Sequence, residues 1–432
     1  MSCGTDEGFD ENTLVVPTGY LRFVHTLSEG PEFIVEFDNQ LISGFNFGDV
    51  SADQVINPLI DTDLTFSYFD ETGIQEISTI TVNVDIDHTV TVIVTGTLAK
   101  PQLLVIDQST DINDLDVNVV FAHGAAFAFS GYDFYITQGT EPLGEPIALL
   151  NQYEASSTLS LIPASDYRLR VVAPNSTNVV WDSGLFSVEI EKNLLFVLHD
   201  GFGPDQNSVK VLPVTEFGTV VFDESQNGAV RFSQMVADEE EGVDYYLDGN
   251  LVVNSLSFQS VTGFQNSETG LREITVTSSS DPEDVIVEST FTIEPGTYHT
   301  VSLIGTMENS SLDVISEDYR RISDRASLVL SHFSSSEGNV DARIVPAGSS
   351  LADSLLLSLV FGTSNKAVFL PDSYEIYLTE VGTDDIVGGP FRINMQSGGL
   401  YRLYLTDQMG GGGPTLFLPG DDLNPSFNLN SE

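Results

Sequence analysis

Leu21-Arg22-Phe23-Val24-His25 decides how this chain is read, because it is written four times. It returns as Val119-Val120-Phe121-Ala122-His123, as Val230-Arg231-Phe232-Ser233-Gln234 and as Leu328-Val329-Leu330-Ser331-His332. From His25 the copies stand 98, 209 and 307 residues on, so the first and third are 209 apart, as are the second and fourth. Equal offsets of this kind point to an A-B-A-B order made by duplicating a two-unit ancestor.

The flanking residues support that pairing. The first and third copies run on into Phe33-Ile34-Val35-Glu36-Phe37-Asp38-Asn39 and Val243-Asp244-Tyr245-Tyr246-Leu247-Asp248-Gly249, a strand and then a tight turn. Further on, the run from His88 to Thr97 matches the run from His299 to Thr306. The second and fourth share Ile162-Pro163-Ala164-Ser165-Asp166-Tyr167 and Leu370-Pro371-Asp372-Ser373-Tyr374. Within each unit the apolar period is two. Thr79-Ile80-Thr81-Val82-Asn83-Val84 and Glu273-Ile274-Thr275-Val276-Thr277 alternate and are rich in β-branched side chains. Turn signals such as Glu71-Thr72-Gly73 and Pro295-Gly296 recur, and the one hint of helix is a turn around 352–358. The fold class is therefore all-β: four tandem immunoglobulin-like antiparallel β-sandwiches of about seven strands each. Their expected bounds are 14–108, 117–214, 228–318 and 325–422, with a polar leader at 1–13 and a C-terminal tail at 423–432. Four in line would make a rod on the order of 150 Å, and lateral packing into pairs is equally open.

At this point the motifs carry a resemblance. A strand ending in Val-His is followed by a strand and an Asp38-Asn39 or Asp248-Gly249 turn. Then come Phe47-Gly48, Pro295-Gly296-Thr297-Tyr298 and the strand ends Thr95-Gly96-Thr97 and Ile304-Gly305-Thr306. The combination is similar to the bacterial envelope domains catalogued as domain of unknown function 4397. It fits the first and third units best; the third departs at Gln234, and the second and fourth lack the Asp-Gly turn. The resemblance implies secreted or surface-tethered β-sandwich modules and supplies no activity.

Composition narrows the function classes. The chain has 432 residues with 64 Asp+Glu against 15 Lys+Arg, a formal charge of −49, and one cysteine. A field of that sign repels nucleic-acid phosphates, so no nucleic-acid partner is expected. A hydrophobic content of 41% is enough to build cores, which excludes wholesale disorder. No apolar run is long enough to form a transmembrane helix. Cys3 heads a short polar leader, Gly4-Thr5-Asp6-Glu7-Gly8, and so resembles the lipid-carrying cysteine of a bacterial lipoprotein cut at its lipobox. That likeness implies an extracytoplasmic chain, lipidated at Cys3 on the outer membrane or cell surface, or else secreted.

Chemistry-bearing motifs are few. No G-x-S-x-G elbow, H-E-x-x-H pair, EF-hand loop or P-loop occurs, so no catalytic or cofactor-binding residue is expected. A hydrolase with an unrecognised carboxylate pair is the weakest reading. His25, His123, Gln234 and His332 share one repeated strand position. Each is expected to do the same local job, bonding a loop carbonyl in a way that an amide can imitate. Metal ligation or a pH switch is the alternative. Asp107, Asp111, Asn113, Asp114 and Asp116 crowd the first linker, where their oxygens could meet a calcium ion and stiffen the joint. Asp238-Glu239-Glu240-Glu241 is a second acidic cluster. Arg320, Arg321 and Arg325, in a chain so poor in bases, are expected to form an interdomain salt bridge to a neighbouring acidic face.

These readings converge on a non-enzymatic envelope or secreted protein with a structural, adhesive or assembly role. Its partner would be a protein or glycan at the cell surface, or further copies of itself. The alternative, a carbohydrate- or small-ligand-binding surface protein, requires an exposed row of aromatic side chains on one sandwich face. Acids at alternate strand positions and in turns repel one another, and salt screens that repulsion. The composition therefore suits a marine or halophilic setting. By calorimetry, the melting temperature should rise between about 10 mM and 1 M NaCl as screening lengths shorten; an unchanged midpoint would refute the saline setting.

Overall fold

The structure is a computed structural model, in which residues 17–111, 117–161, 164–188, 192–205, 208–214, 223, 226–409 and 412–419 are described. The first unit displays the plan of all four, except that in the third the fourth strand is split into two short pieces, Ser260–Val261 and Gln265–Ser267, which count together as one strand. Its strands are β1 (Gly19–His25), β2 (Phe33–Phe37), β3 (Gln40–Phe45), β4 (Gln54–Ile56), β5 (Asp61–Asp70), β6 (Gly73–Asn83), β7 (His88–Thr97) and β8 (Lys100–Ser109). They form two four-stranded sheets, β4-β1-β7-β8 and β3-β2-β5-β6. Asp38 and Asn39 turn β2 into β3 at φ 45° and 59°. Asp and Asn tolerate that left-handed backbone, which suits the twist of a two-residue hairpin. Gly96, at φ 83°, turns β7 into β8 where a Cβ would stand 2.6 Å from the Lys100 carbonyl, so the Thr-Gly-Thr motif needs its glycine.

The antiparallel expectation needs one correction. In each unit the first strand pairs in parallel with the long strand near the end. β1 pairs with β7, Val117–His123 with Lys192–Asp200, Gly228–Gln234 with Tyr298–Thr306, and Ala326–His332 with Leu400–Gln408. Strands that reverse at every turn leave the first and seventh pointing the same way, so a sheet that brings them together is parallel there. Where the sequence hinted at a helical turn, the chain makes a short 3₁₀ turn at Leu351–Asp353, capped by the Ser350 side chain. Register also separates two histidines that the sequence comparison aligned. Val90 lies across from Leu21 and His299 across from Val230, so the third-unit counterpart of His88 is Thr297.

Each sandwich buries its own core. In the first, Phe23 meets Phe37, Phe45 and Phe66 at ring-centroid distances of 5.6, 6.4 and 6.0 Å. Phe121, Phe134, Trp181 and Phe196 fill the second; Phe232, Tyr245 and Ile274 the third; Leu328, Ile376 and Leu403 the fourth. Alternate residues of the same strands point outward, and here the units meet. Val24, Ile93 and Ile106 of the first unit pack on Val120, Ala122, Leu195, Val197 and Val214 of the second. Met235 and Ile304 of the third pack on Phe333 and Tyr404 of the fourth.

The pairs also touch one another. The Ser323 N–H, in the connection to the fourth unit, donates to the Glu29 carbonyl of the first (2.9 Å). Gln226, just ahead of the third unit, accepts from Ser208 of the second (3.0 Å). The sandwiches are therefore packed side by side within each pair, and the two pairs meet through loops at their ends, so the four are not strung in a single rod. Solution scattering should return a radius of gyration of about 22–25 Å, at or just above the value for a compact chain of this length. An in-line rod of the length given above would instead give roughly 43 Å.

Candidate functional site

The repeated histidine ends the first strand of its unit, where the chain leaves the sheet and must be fastened. The His25 Nε2 lies 3.0 Å from the Pro31 carbonyl, and its Nδ1 accepts the Leu27 N–H at 3.2 Å. A carbonyl can only accept, so Nε2 carries the proton and the ring is neutral. Burial pushes its pKa down to about 3. His123 reaches the Phe129 carbonyl at 3.1 Å and His332 the Gly338 carbonyl at 2.8 Å, again six residues on. Burial lowers His123 to about 4, and lowers His332 as well. In the third unit the Gln234 amide oxygen accepts the Val236 N–H at 2.6 Å, which is the bond His25 Nδ1 makes two residues on.

The second and fourth units carry an additional fastening that sequence reasoning missed. Asp200 ends the seventh strand of the second unit, and its carboxylate accepts from the Ala126 N–H (2.7 Å), the Phe127 N–H (3.0 Å) and the Ser28 hydroxyl of the first unit. Asp407 occupies the matching place in the fourth unit. It accepts from the Ser335 N–H (2.9 Å) and hydroxyl (2.8 Å), the Ser336 hydroxyl (2.5 Å) and the Ser334 hydroxyl. Burial pushes Asp200 up despite its hydrogen bonds. Burial opposes ionisation of Asp407 too, but three serine hydroxyls hold it below the usual carboxylate range. The available signal was the pair Leu198-His199-Asp200 and Leu405-Thr406-Asp407, each an acid closing an apolar strand.

The interfaces within the two pairs differ in chemistry. Between the first two units the outward face is apolar. Between the third and fourth, Arg231 donates to Thr300 (2.8 Å) and to Glu317 (3.0 Å), and Arg402 donates to the same carboxylate from the opposite unit. Burial alone would raise Glu317, but Arg402 and Arg231 hold it below the usual range. The Arg231 guanidinium lies 4.7 Å from the Phe264 ring centre, and Arg402 5.7 Å from that of Tyr319.

The arginine cluster does join units, and the contacts it makes between them include loop carbonyls and a ring, while Arg325 also pairs with the adjacent Asp324 carboxylate at 2.6 Å. Arg320 donates to the Gly30 carbonyl at 2.7 Å and stacks 4.8 Å over Phe47. Arg325 donates to the Phe69 carbonyl of the first unit, and Arg321 to the Gly398 carbonyl of the fourth at 2.6 Å. Carbonyls at loop ends have unused lone pairs, and guanidinium supplies several donors in one plane.

Of the calcium candidates, Asp107 lies on β8 and meets the His88 Nδ1 at 2.7 Å. Asp111 is exposed, with its N–H donated to the Ser109 hydroxyl at 3.2 Å. Asn113, Asp114, Asp116 and Cys3 lie outside the described residues. In the second acidic cluster, Asp238 accepts the Met307 N–H (3.1 Å) and Glu239 the Glu241 N–H (2.9 Å). Trp181 is core, and Phe264, Tyr298 and Tyr319 pack edge-on or tilted, at 71°, 88° and 47°, instead of forming a flat platform.

Residues 228–343, which cover the third unit and the start of the fourth, match the family model described as Domain of unknown function (DUF4397). No curated protein matches the chain. Among solved structures, that of the Bacillus anthracis TIE protein is similar at 10% identity, covering 91% of this chain and 69% of that one, with a TM-score of 0.17.

The locks set a pH dependence. His25, His123 and His199 sit at about 3, 4 and 4 in the folded chain against about 6.5 when unfolded, so the unfolded state binds more protons between those values. Stability is then fully present above about pH 6.5 and falls toward pH 4. Asp313, which burial raises to about 6, works in the opposite sense, as do Asp200 and Asp324, which burial also raises. His299, His332, Glu317 and Asp407, all lowered, act with the three histidines. Denaturant melts from pH 7 to pH 4.5 should show that fall. His25→Gln should keep the lock and flatten the slope by ~1 kcal/mol per pH unit, whereas His25→Ala should lower stability by ~1–3 kcal/mol at pH 7.

Proposed function

We propose that this chain is a non-enzymatic module of the cell envelope or the secreted fraction, acting as a structural, adhesive or assembly unit. The supporting observation is the use made of its buried polar groups, which fasten the fold. Histidines close loops, Asp200 and Asp407 hold the loops after the first strands, and Glu317 ties two sandwiches between two arginines. A general acid or nucleophile needs a lone pair or proton free to meet a substrate. These carboxylates spend theirs on backbone N–H groups, hydroxyls and guanidinium.

What such a block offers is surface: sandwiches packed side by side, with acids along the outward strand positions. That surface suits a spacer or a cohesive element in a salty exterior better than a reaction vessel. The match of 228–343 to a domain of uncharacterised activity is compatible with this reading. Cys3 serves as the lipid attachment point.

Fractionation of the native cells tests the proposal. The protein is expected in the envelope or the medium, and Cys3→Ser should move the envelope pool into the soluble fraction. Recovery in the cytoplasm alone would overturn the envelope reading.

A further inference from the structure

The end of the first sandwich nearest its connection to the second gathers three ligand-type side chains outside every fastening described so far. Asp85 lies in the turn between β6 and β7, His88 opens β7 and Asp107 lies on β8. One ligand atom from each stands within 4.8 Å of the other two. The β7–β8 register pairs His88 with Ser109 and Val90 with Asp107, so His88 and Asp107 are diagonal neighbours on one face. Further along, that face carries Val90 and Val92 into the core; here it runs out into solvent. Among the described residues no lysine or arginine pairs with Asp85 or Asp107, leaving two carboxylates facing one imidazole.

The backbone beneath them is fixed. The Asp87 carbonyl accepts both the N–H and the hydroxyl of Thr110 at 2.7 Å, and the Asp87 N–H donates to the Thr18 carbonyl at 2.9 Å. The sister unit shows that the fold does not need the cluster. The third unit repeats these strands 209 residues on, with Glu294, Thr297 and Ser316 at the three places. Its strands pair there with a carboxylate only at the first place, and the imidazole beside Thr297 (2.7 Å) comes from His299, at the Val90 position.

We propose that Asp85, His88 and Asp107 form a binding site for a divalent transition-metal ion of the zinc class. Two carboxylate oxygens and one imidazole nitrogen are a donor set such ions accept, at about 2.0–2.2 Å, with water completing the shell. Tetrahedral ligands at that length stand about 3.4 Å apart. Asp85, an exposed side chain in a turn, closes the remaining gap by rotating inward. Calcium needs about six to eight oxygens at longer range, so the imidazole turns preference away from it. The His88 Nδ1 now meets the Asp107 carboxylate at 2.7 Å through a proton. The ion takes the place of that proton on Nδ1, and the ring proton then sits on Nε2, so that the ligand is a neutral imidazole.

The test uses the full chain and does not depend on where the protein resides or on its envelope role. Zinc titrated by calorimetry should bind at one equivalent ahead of weak binding by the acidic surface. Cobalt(II) at that site should give visible absorption bands of a nitrogen-containing shell. His88→Thr and Asp107→Ser install the residues that the sister unit already folds with, and each should weaken the one-equivalent phase at least about tenfold. A zinc phase of unchanged strength in His88→Thr would overturn the site. So would binding that calcium matches in strength and stoichiometry, or no one-equivalent phase at all.

Discussion

The parallel pairing of the first strand with the seventh is the constraint from which the rest of each unit follows. It places the first strand in the middle of its sheet, where Leu21 and Phe23 face the core, Val24 faces the neighbouring unit and Arg22 pairs with Asp53 of its own unit. Phe23 enters the sandwich, while Val24 leaves it to meet the second unit. Because both strands run the same way, the last residue of the first lies beside the loop and hairpin that follow the seventh. That is where the His25 imidazole and, in the second and fourth units, the Asp200 and Asp407 carboxylates hold the loop after the first strand.

Duplication has given one geometry two chemistries. Val24 and Ile93, apolar and buried between the first two units, become Ser233 and Ser302 between the last two, with hydroxyls 2.7 Å apart. Leu195 becomes Arg402, and Gln108 becomes Glu317. An apolar face gains from burial in proportion to its area, whereas a buried ion triad must offset desolvation through good geometry. Glu317 meets that demand by accepting from Arg231, Arg402 and Thr300. The triad fixes one register between its two sandwiches, since a shifted pair would leave an arginine buried beside no carboxylate.

How much of this was legible depended on whether a signal lay within one strand or between strands. Period-two alternation and the fourfold His/Gln motif were local, so all-β sandwiches in A-B-A-B order could be read directly. Gln234 repeats one of the His25 bonds, accepting the N–H two residues along the same chain, whereas the bond expected from the sequence was to a loop carbonyl. The carboxylate locks were not readable: Asp200 and its partner N–H groups at Ala126 and Phe127 are separated by more than 70 residues. The clustering of Asp107 with His88 and Asp85 arises from strand register, and composition carries no trace of register.

Sequence alone determined the fold class, the number of repeats, their pairing and the acidic surface, because each is written in the order and kind of side chains. Tertiary structure alone decided that the first and seventh strands meet in parallel, and that the units of each pair pack by their outward faces while the pairs meet through end loops. It also decided that Arg320 and Arg325 reach across to loop carbonyls and a ring of the first unit. The physical reason is that strand periodicity records which side of a strand is apolar. It does not record whether that side will meet the strand's own partner sheet or the sheet of another unit.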